Sequence, residues 1–313
     1  MTTTFKTVNR HGYAVKFSPN RSDILAIATT QYYGFKGGGT LFLVTYDADK
    51  CLMTKNTEIF WEDGLFDVVW SRTAESLLVT GSGDGSLQMW NYKYPQKPVR
   101  TYDEHKKEVC SVDWCQNSID DFLLSASWDC SVKLWDPNKY CSLTTYKGHD
   151  RLVYEVKWSP FLSSCFASVS GDGTLGIWDC SSPLRPRAKI NAHQAEVLSC
   201  SWNRFQPFVL ATGGSEGLIR IWDIRKSLTP IFQLEGCQDA VKRVQCSPHH
   251  WSKLASVSYD FTTKIWDYSA SSEPCQSHQN HSDYVYGLDI SPRQDGLMAD
   301  CGWDAEARVF RAG

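Results

Sequence analysis

Several residue groupings in this sequence could in principle do chemistry. His105, His149, His193 and His281 are each followed 23 or 24 residues later by a carboxylate, Asp129, Asp172, Glu216 and Asp304. An imidazole facing a carboxylate is the pairing of a general base. Gly213-Gly214-Ser215-Glu216-Gly217 fits the G-x-S-x-G pattern of a nucleophile elbow, and Gly37-Gly38-Gly39 could open a phosphate loop. Twelve cysteines raise metal or disulfide roles. Each grouping fails on its surroundings. The elbow needs a strand before it and a helix after it, whereas LIRIWD, which follows Ser215, alternates as a strand. The glycine run also enters a strand, and no Lys-Ser/Thr follows it. The cysteines contain no C-x-x-C pair and sit mostly in apolar strand patterns, which points to buried or half-buried thiols in a reducing compartment and to no metal or cofactor.

The elements that must position these residues come from internal repetition. Trp70, Trp114, Trp158, Trp202, Cys246 and Ile290 follow one another at 44-residue intervals. A second series, Asp84, Asp129, Asp172, Glu216, Asp260 and Asp304, keeps the same period to within one residue. A third lies six residues behind it: Trp90, Trp135, Trp178, Trp222, Trp266 and Phe310. Within a unit, VCSVDW, FLLSAS, SVKLWD and SLTTYK read as four short strands broken by turn residues. Four strands per repeat closing on Trp-Asp make a propeller blade of the WD type.

Six units are plain. A divergent seventh, HGYAVKFSP with ILAIATT and GGGTLFLVTYD, stands first and carries an insertion, since Phe17 precedes Trp70 by 53 residues. The last unit has three strands, so FKTV at 5–8 is expected to supply its fourth and close the ring. The reading is all-β: one seven-bladed WD40 β-propeller domain over 1–313, with helix content close to nil. In that frame the histidines fall nine residues before each inner-strand anchor. His105, His149 and His193, with Asp129, Asp172 and Asp260 and with Trp135, Trp178, Trp222 and Trp266, become an internal hydrogen-bond network rather than a catalytic one. Trp61 and Cys237 replace the histidine in blades two and six, so those two networks are expected to be incomplete, and His11 falls at a rim position.

With 32 basic and 35 acidic residues, a net charge of −3 and a pI of about 6.2, the chain offers no electrostatic case for nucleic acid. No apolar run of about 18 residues exists to span a bilayer, and the opening MTTTFKTVNR lacks a secretory apolar core. A cytosolic location follows.

Binding is then the expected role, on the face built from the loops before each inner strand and the turns before each repeated acid. Those slots hold Asp63, Lys107, Arg151, Asp239 and Asp283, then His11, Glu108, Leu152, Glu196 and Tyr284. Inside them lie Tyr13, Phe66, Tyr154, Leu198 and Tyr286, and the turn tips carry Trp128, Tyr259 and Trp303. Aromatic side chains beside carboxylates suit a basic amphipathic helix laid down by its apolar stripe. Leu65, Trp128, Tyr154 and Leu198 are the expected apolar wall, with Glu196, Tyr259 and Trp303 beside it.

RHGYAVKFSP, WEDGLFDVVWS, SGDGSLQMWN, HKKEVCSVDW, SWDCSVKLWDP, AHQAEVLSC and SYDFTTKIWD together resemble the peroxin-7 family, receptors for the type-2 peroxisomal targeting signal. The resemblance runs from about residue 10 to residue 310. It implies an import receptor, not an enzyme, that binds cargo proteins in the cytosol through an N-terminal amphipathic helical signal. That signal has a basic and an aliphatic residue, five variable positions, then His or Gln and an aliphatic residue. The resemblance further implies a peroxisomal co-receptor over the cargo helix, delivery to the peroxisomal docking machinery, and return to the cytosol. The family's acidic pair looks like Asp63 and Glu108, which would accept the basic side chain. Two rivals are weaker. Trp222-Asp223-Ile224-Arg225 fits a W-D-x-R pattern of cullin-type ubiquitin-ligase adaptors, and a propeller hydrolase would need a constellation the sequence does not offer.

Overall fold

The computed structural model describes residues 2–115, 121–162, 164–226 and 229–312. Seven four-stranded antiparallel sheets follow one another around a ring, each running from an innermost strand a to an outermost strand d. Blade three is representative, with Val109–Trp114, Leu123–Ser127, Ser131–Trp135 and Ser142–Lys147. The b–c turn shows how sequence sets local structure. Asp129 Oδ1 accepts the Ser131 N–H at 3.0 Å, and the residue between them is left-handed. Blades two, four and five use Gly85, Gly173 and Gly217 there, whereas Cys130, Phe261 and Ala305 hold the same positive φ in blades three, six and seven. The acid's bond to the turn sustains a conformation that costs about 1 kcal/mol in a residue with a Cβ.

The ring closes through the N-terminal strand, but not at the residues expected. Thr2–Lys6 pairs with Glu306–Arg311, from Thr2 opposite Phe310 to Lys6 opposite Glu306. Thr3 and Phe5 turn inward, Phe5 meeting the Phe42 ring edge-on at 5.7 Å. The chain leaves the sheet at Thr7, whose hydroxyl donates to the Arg10 carbonyl, and Val8 is exposed. In blade one the insertion goes into a 3-10 turn, Tyr32–Gly34, and into long outer strands, Gly39–Asp47 and Leu52–Trp61.

The core lies between blades rather than within one. Each of the seven junctions holds its own apolar cluster, such as Val79, Leu87, Val112, Trp114 and Trp135 between blades two and three. Trp90, Trp135, Trp178 and Trp266 are fully buried. Each such ring hides roughly 150–250 Å² from water.

The predicted histidine network is present. His105 meets Asp129 at 2.8 Å and Ser125 Oγ at 2.7 Å, and the Trp135 indole donates to the same hydroxyl. His149 repeats this with Asp172, Ser168 and Trp178, and His193 with Glu216, Thr212 and Trp222. Blades two and six are not incomplete, however. The Trp61 indole donates to Asp84 at 2.8 Å, while Thr80 takes the Trp90 N–H and gives its own proton to Gln88. In blade six Lys264 neutralises Asp260 at 2.6 Å, and Trp266 donates to Ser256 beside Cys237. None of the twelve cysteines is in a disulfide, but Cys51, Cys141 and Cys275 are exposed, against expectation. They stand at the approach to outer strands, where the sheet faces solvent.

Candidate functional site

Strict alternation fails once in every inner strand, at the same place. The a–b register slips between Gly12 and Ala14, Leu65 and Asp67, Val109 and Ser111, and equivalently in the other four blades. The bulged residues are Tyr13, Phe66, Cys110, Tyr154, Leu198, Lys242 and Tyr286, one per blade. A bulge re-aims its side chain, and here it turns seven side chains away from the inter-blade cores to form a ring at the mouth of the central channel.

Below that ring the strands carry charge, and the charges are paired. Arg243 reaches across the channel from blade six to Asp67 in blade two at 3.2 Å, both buried. Lys16 meets Asp289 at 3.2 Å and Lys157 meets Glu155 at 3.3 Å. These three carboxylates, and Asp113 beside them, accept backbone N–H groups of the next blade: Asp67 from Val112, Asp113 from Trp158, Glu155 from Cys200 and Asp289 from Phe17, at 2.7–3.0 Å. Each inner strand would otherwise present a row of unpaired donors to the channel. Neighbouring cations hold Asp67 and Glu155 below their ordinary pKa despite complete burial. Gly213 and Gly214 end one strand and Ile219 begins the next, so Ser215 sits in a hairpin turn, its Oγ accepting the Glu196 N–H.

At the mouth the chemistry changes to aromatic surface. Phe66 lies 6.3 Å from Trp128 and 5.0 Å from Tyr13. Tyr13 lies 4.7 Å from Tyr286, and Tyr286 stacks on Trp303 at 4.8 Å and on Tyr259 at 5.4 Å. Tyr284 joins Tyr259 and Trp303 at 4.5 and 5.4 Å. The 3-10 turn of blade one adds Tyr33, stacked on His11 at 3.9 Å and 5.2 Å from Trp303. Tyr33 has a positive φ of 58°, held by the Tyr13 hydroxyl donating to its carbonyl and by the His11 ring, which itself donates to the Trp303 carbonyl. Gly34 follows at φ +77°, where a Cβ would stand 2.8 Å from the Phe66 ring. The turn tips of blades two, four and five carry only Gly83, Gly171 and Ser215, so the face is high at blades three, six, seven and one and low elsewhere.

Carboxylates surround this floor. Asp63, Asp239 and Asp283 each cap the first N–H of the following residue, at 2.6, 2.6 and 2.8 Å. Glu196 accepts the Tyr154 hydroxyl at 3.1 Å, and Glu108 stands beside Trp128, whose N–H donates to the Glu108 carbonyl. Among the described residues none of these five acids has an ion pair, in contrast to the channel acids. The indole N–H of Trp128 is buried without an acceptor among the described residues.

Most of the expected residues therefore share one face: Asp63, Glu108, Trp128, Tyr154, Glu196, Leu198, Tyr259 and Trp303. Leu65 does not. It is completely buried in the cluster between blades one and two, because the bulge hands the outward place to Phe66. Leu198 occupies its mouth slot but is only 7% exposed. Sequence reasoning missed Tyr33, which lies in an insertion without periodicity, and Lys242, which a count of 44 from Leu198 would have found.

Three stretches, 96–136, 140–179 and 184–223, match the WD domain, G-beta repeat family model. Over 164 residues the chain is 46% identical to a human protein named peroxisomal targeting signal 2 receptor, covering 52% of this chain and 50% of that one. It is 40% identical over 131 residues to the Dictyostelium discoideum protein of the same name, covering 41% and 40%. It is 37% identical over 135 residues to peroxisome biogenesis protein 7 of Arabidopsis thaliana, covering 42% of each. The chain thus spans about half the length, or less, of the curated relatives it matches. The human and Dictyostelium relatives carry the name of the receptor that the sequence resembles.

Proposed function

We propose that this chain is an import receptor that binds the type-2 targeting signal of peroxisomal cargo on the floor described above. The observation that carries the reading is the 46% identity, over half the chain, to a human protein named as that receptor. The geometry fits the task. A continuous aromatic floor offers a dry surface for the apolar stripe of a helix, and carboxylates without an ion pair among the described residues stand at its edge for basic side chains. Asp63 and Glu108, on blades two and three, are the acids assigned to the signal's basic residue. Trp128 on one side and Tyr259 with Trp303 on the other stand above the low tips of blades two, four and five, and bound the seat. A co-receptor closing over the cargo would desolvate these ion pairs and strengthen them beyond the ~0.2–1 kcal/mol of exposed ones. The receptor itself makes and breaks no bond. It works in the cytosol, cycles to the peroxisomal docking machinery, and needs no cofactor.

No observation favours the ubiquitin-adaptor reading, since the Arg225 guanidinium is already engaged by Asp223 at 2.9 and 2.7 Å and lies over Phe208.

The test is binding of a labelled type-2 signal peptide, with and without cytosolic extract as a source of co-receptor, to wild type, Asp63→Lys and Glu108→Lys. Saturable binding that both reversals abolish, with melting temperature unchanged, supports receptor and site together. Binding that survives both reversals removes the site, and no binding even with extract removes the receptor.

A further inference from the structure

Of the seven side chains at the channel mouth, six are aromatic, aliphatic or thiol, and one is charged. Lys242 is half-buried in blade six, and its ammonium reaches 4.8 Å from the Tyr286 ring centre and 5.7 Å from that of Tyr154 in blade four. Those two rings cannot neutralise it through their hydroxyls. Tyr154 donates to Glu196, and Tyr286 accepts from Tyr259 at 2.8 Å. Among the described residues no carboxylate stands within ion-pair distance of Lys242, and no oxygen accepts a hydrogen bond from it. The neighbouring cation on the same strand, Arg243, has turned down into the channel to Asp67 and adds only repulsion. Burial and that repulsion push the Lys242 ammonium down to about 8, so it is largely charged at neutral pH but poorly solvated.

This inverts the pattern of the rim. Around the edge lie acids without cations, and at the centre lies a cation without an acid. π faces contribute only about 0.5–2 kcal/mol to a cation, whereas a carboxylate brought into the same desolvated place would gain far more. We infer that Lys242 is a specificity-determining residue of the floor, which accepts a carboxylate from the underside of the seated partner segment. The inference rests on the receptor reading above and adds to it a charge order for the ligand: basic toward the rim, acidic over the channel mouth. A basic side chain at the central position is rejected by the same group.

The experiment uses the full chain with cytosolic extract and a set of type-2 signal peptides. In each peptide Glu, Gln or Lys replaces one residue that is neither the basic nor an aliphatic anchor. The expected result is one position at which Glu binds about tenfold more tightly than Gln, and Lys more weakly than either. In Lys242→Met the Glu-over-Gln ratio at that position falls to about one, while sensitivity to Asp63→Lys is retained. Lys242→Glu, a second variant in case the first folds poorly, should reverse the preference so that the Lys peptide binds best. A Glu-to-Gln ratio that is flat at every position, or one that Lys242→Met leaves unchanged in a folded protein, overturns the inference while the receptor reading stands. Failure of every peptide to bind the wild type removes both.

Discussion

The channel and its mouth are built from the same seven strands, only a few residues apart, yet they treat charge in opposite ways. Inside, Asp67, Asp113, Glu155 and Asp289 are tied to Arg243, Lys157 or Lys16, to backbone N–H groups, or to both. At the mouth, among the described residues, Asp63, Glu108, Glu196, Asp239 and Asp283 lack cations, and Lys242 lacks an anion. Inside, an unmatched charge would cost several kcal/mol of stability, and each of these four acids is met by a cation, a backbone N–H or both. At the mouth, solvent lowers that cost, and an unmatched charge remains available to a partner. The difference separates groups that hold the ring together from groups left available to the partner we propose.

The largest expected effect breaks the pairing inside. Asp67→Ala strands Arg243 and leaves the Val112 N–H without its acceptor, and should lower stability by about 3–5 kcal/mol in urea unfolding. Asp67→Ala with Arg243→Met should recover most of the loss. Equal losses in the single and double variants would show that the pair does not act as a unit.

Next comes His281 in blade seven, which meets two carboxylates, Asp300 at 3.0 Å and Asp304 at 2.9 Å, where the other blades pair a carboxylate with a hydroxyl or leave out the histidine. Their hydrogen bonds outweigh burial and raise its pKa to about 9. A raised histidine stabilises the fold fully below its unfolded value of about 6.5. That contribution is lost as pH climbs through about 9. The shift corresponds to on the order of 3 kcal/mol, read as a falling melting temperature from pH 6.5 to 9.5. Lys242, pushed down, titrates in the opposite sense, so the measurement is the difference between wild type and His281→Gln. His193, whose partner hydroxyl comes from Thr212, is instead lowered by burial and should disfavour folding as pH falls below about 6.5.

The blade repeat was legible because three series of large or charged residues keep one period, and Trp135 or Asp129 can hardly be misplaced within it. The turn tips Trp128, Tyr259 and Trp303 were legible for the same reason. What alternation conceals is the bulge. Leu65 looked outward because a period of two carries no sign of an inserted residue, and Phe66 holds the outward place instead. The repaired networks of Trp61 and Cys237 were also out of reach, since Gln88 and Lys264 complete them from neighbouring strands.

Smaller effects belong to the mouth. Tyr33→Ala removes a 43% exposed ring stacked on His11 and leaves the positive φ to a residue that still carries a Cβ. It should weaken signal-peptide binding by about tenfold, as an interface aromatic does, while moving stability by less than about 1 kcal/mol. Loss of folding without loss of affinity would place Tyr33 with the scaffold. Smallest of all, Asp283→Asn should cost binding only about two- to threefold and lose even that at high salt, as an exposed rim charge does. An effect that persists in 1 M salt would mean that the partner buries Asp283.

The seven bulges also bear on how such a ring can change. Because residues 66, 110, 154, 198, 242 and 286, with 13, are displaced from the inter-blade cores, substitutions there alter what the mouth displays while the packing that shapes it stays intact. On the proposed reading, recognition and architecture are encoded at separate positions of one strand. A library randomised at those seven sites alone should yield folded rings with new partners, since the same bulge already carries residues as different as Leu198, Cys110 and Lys242.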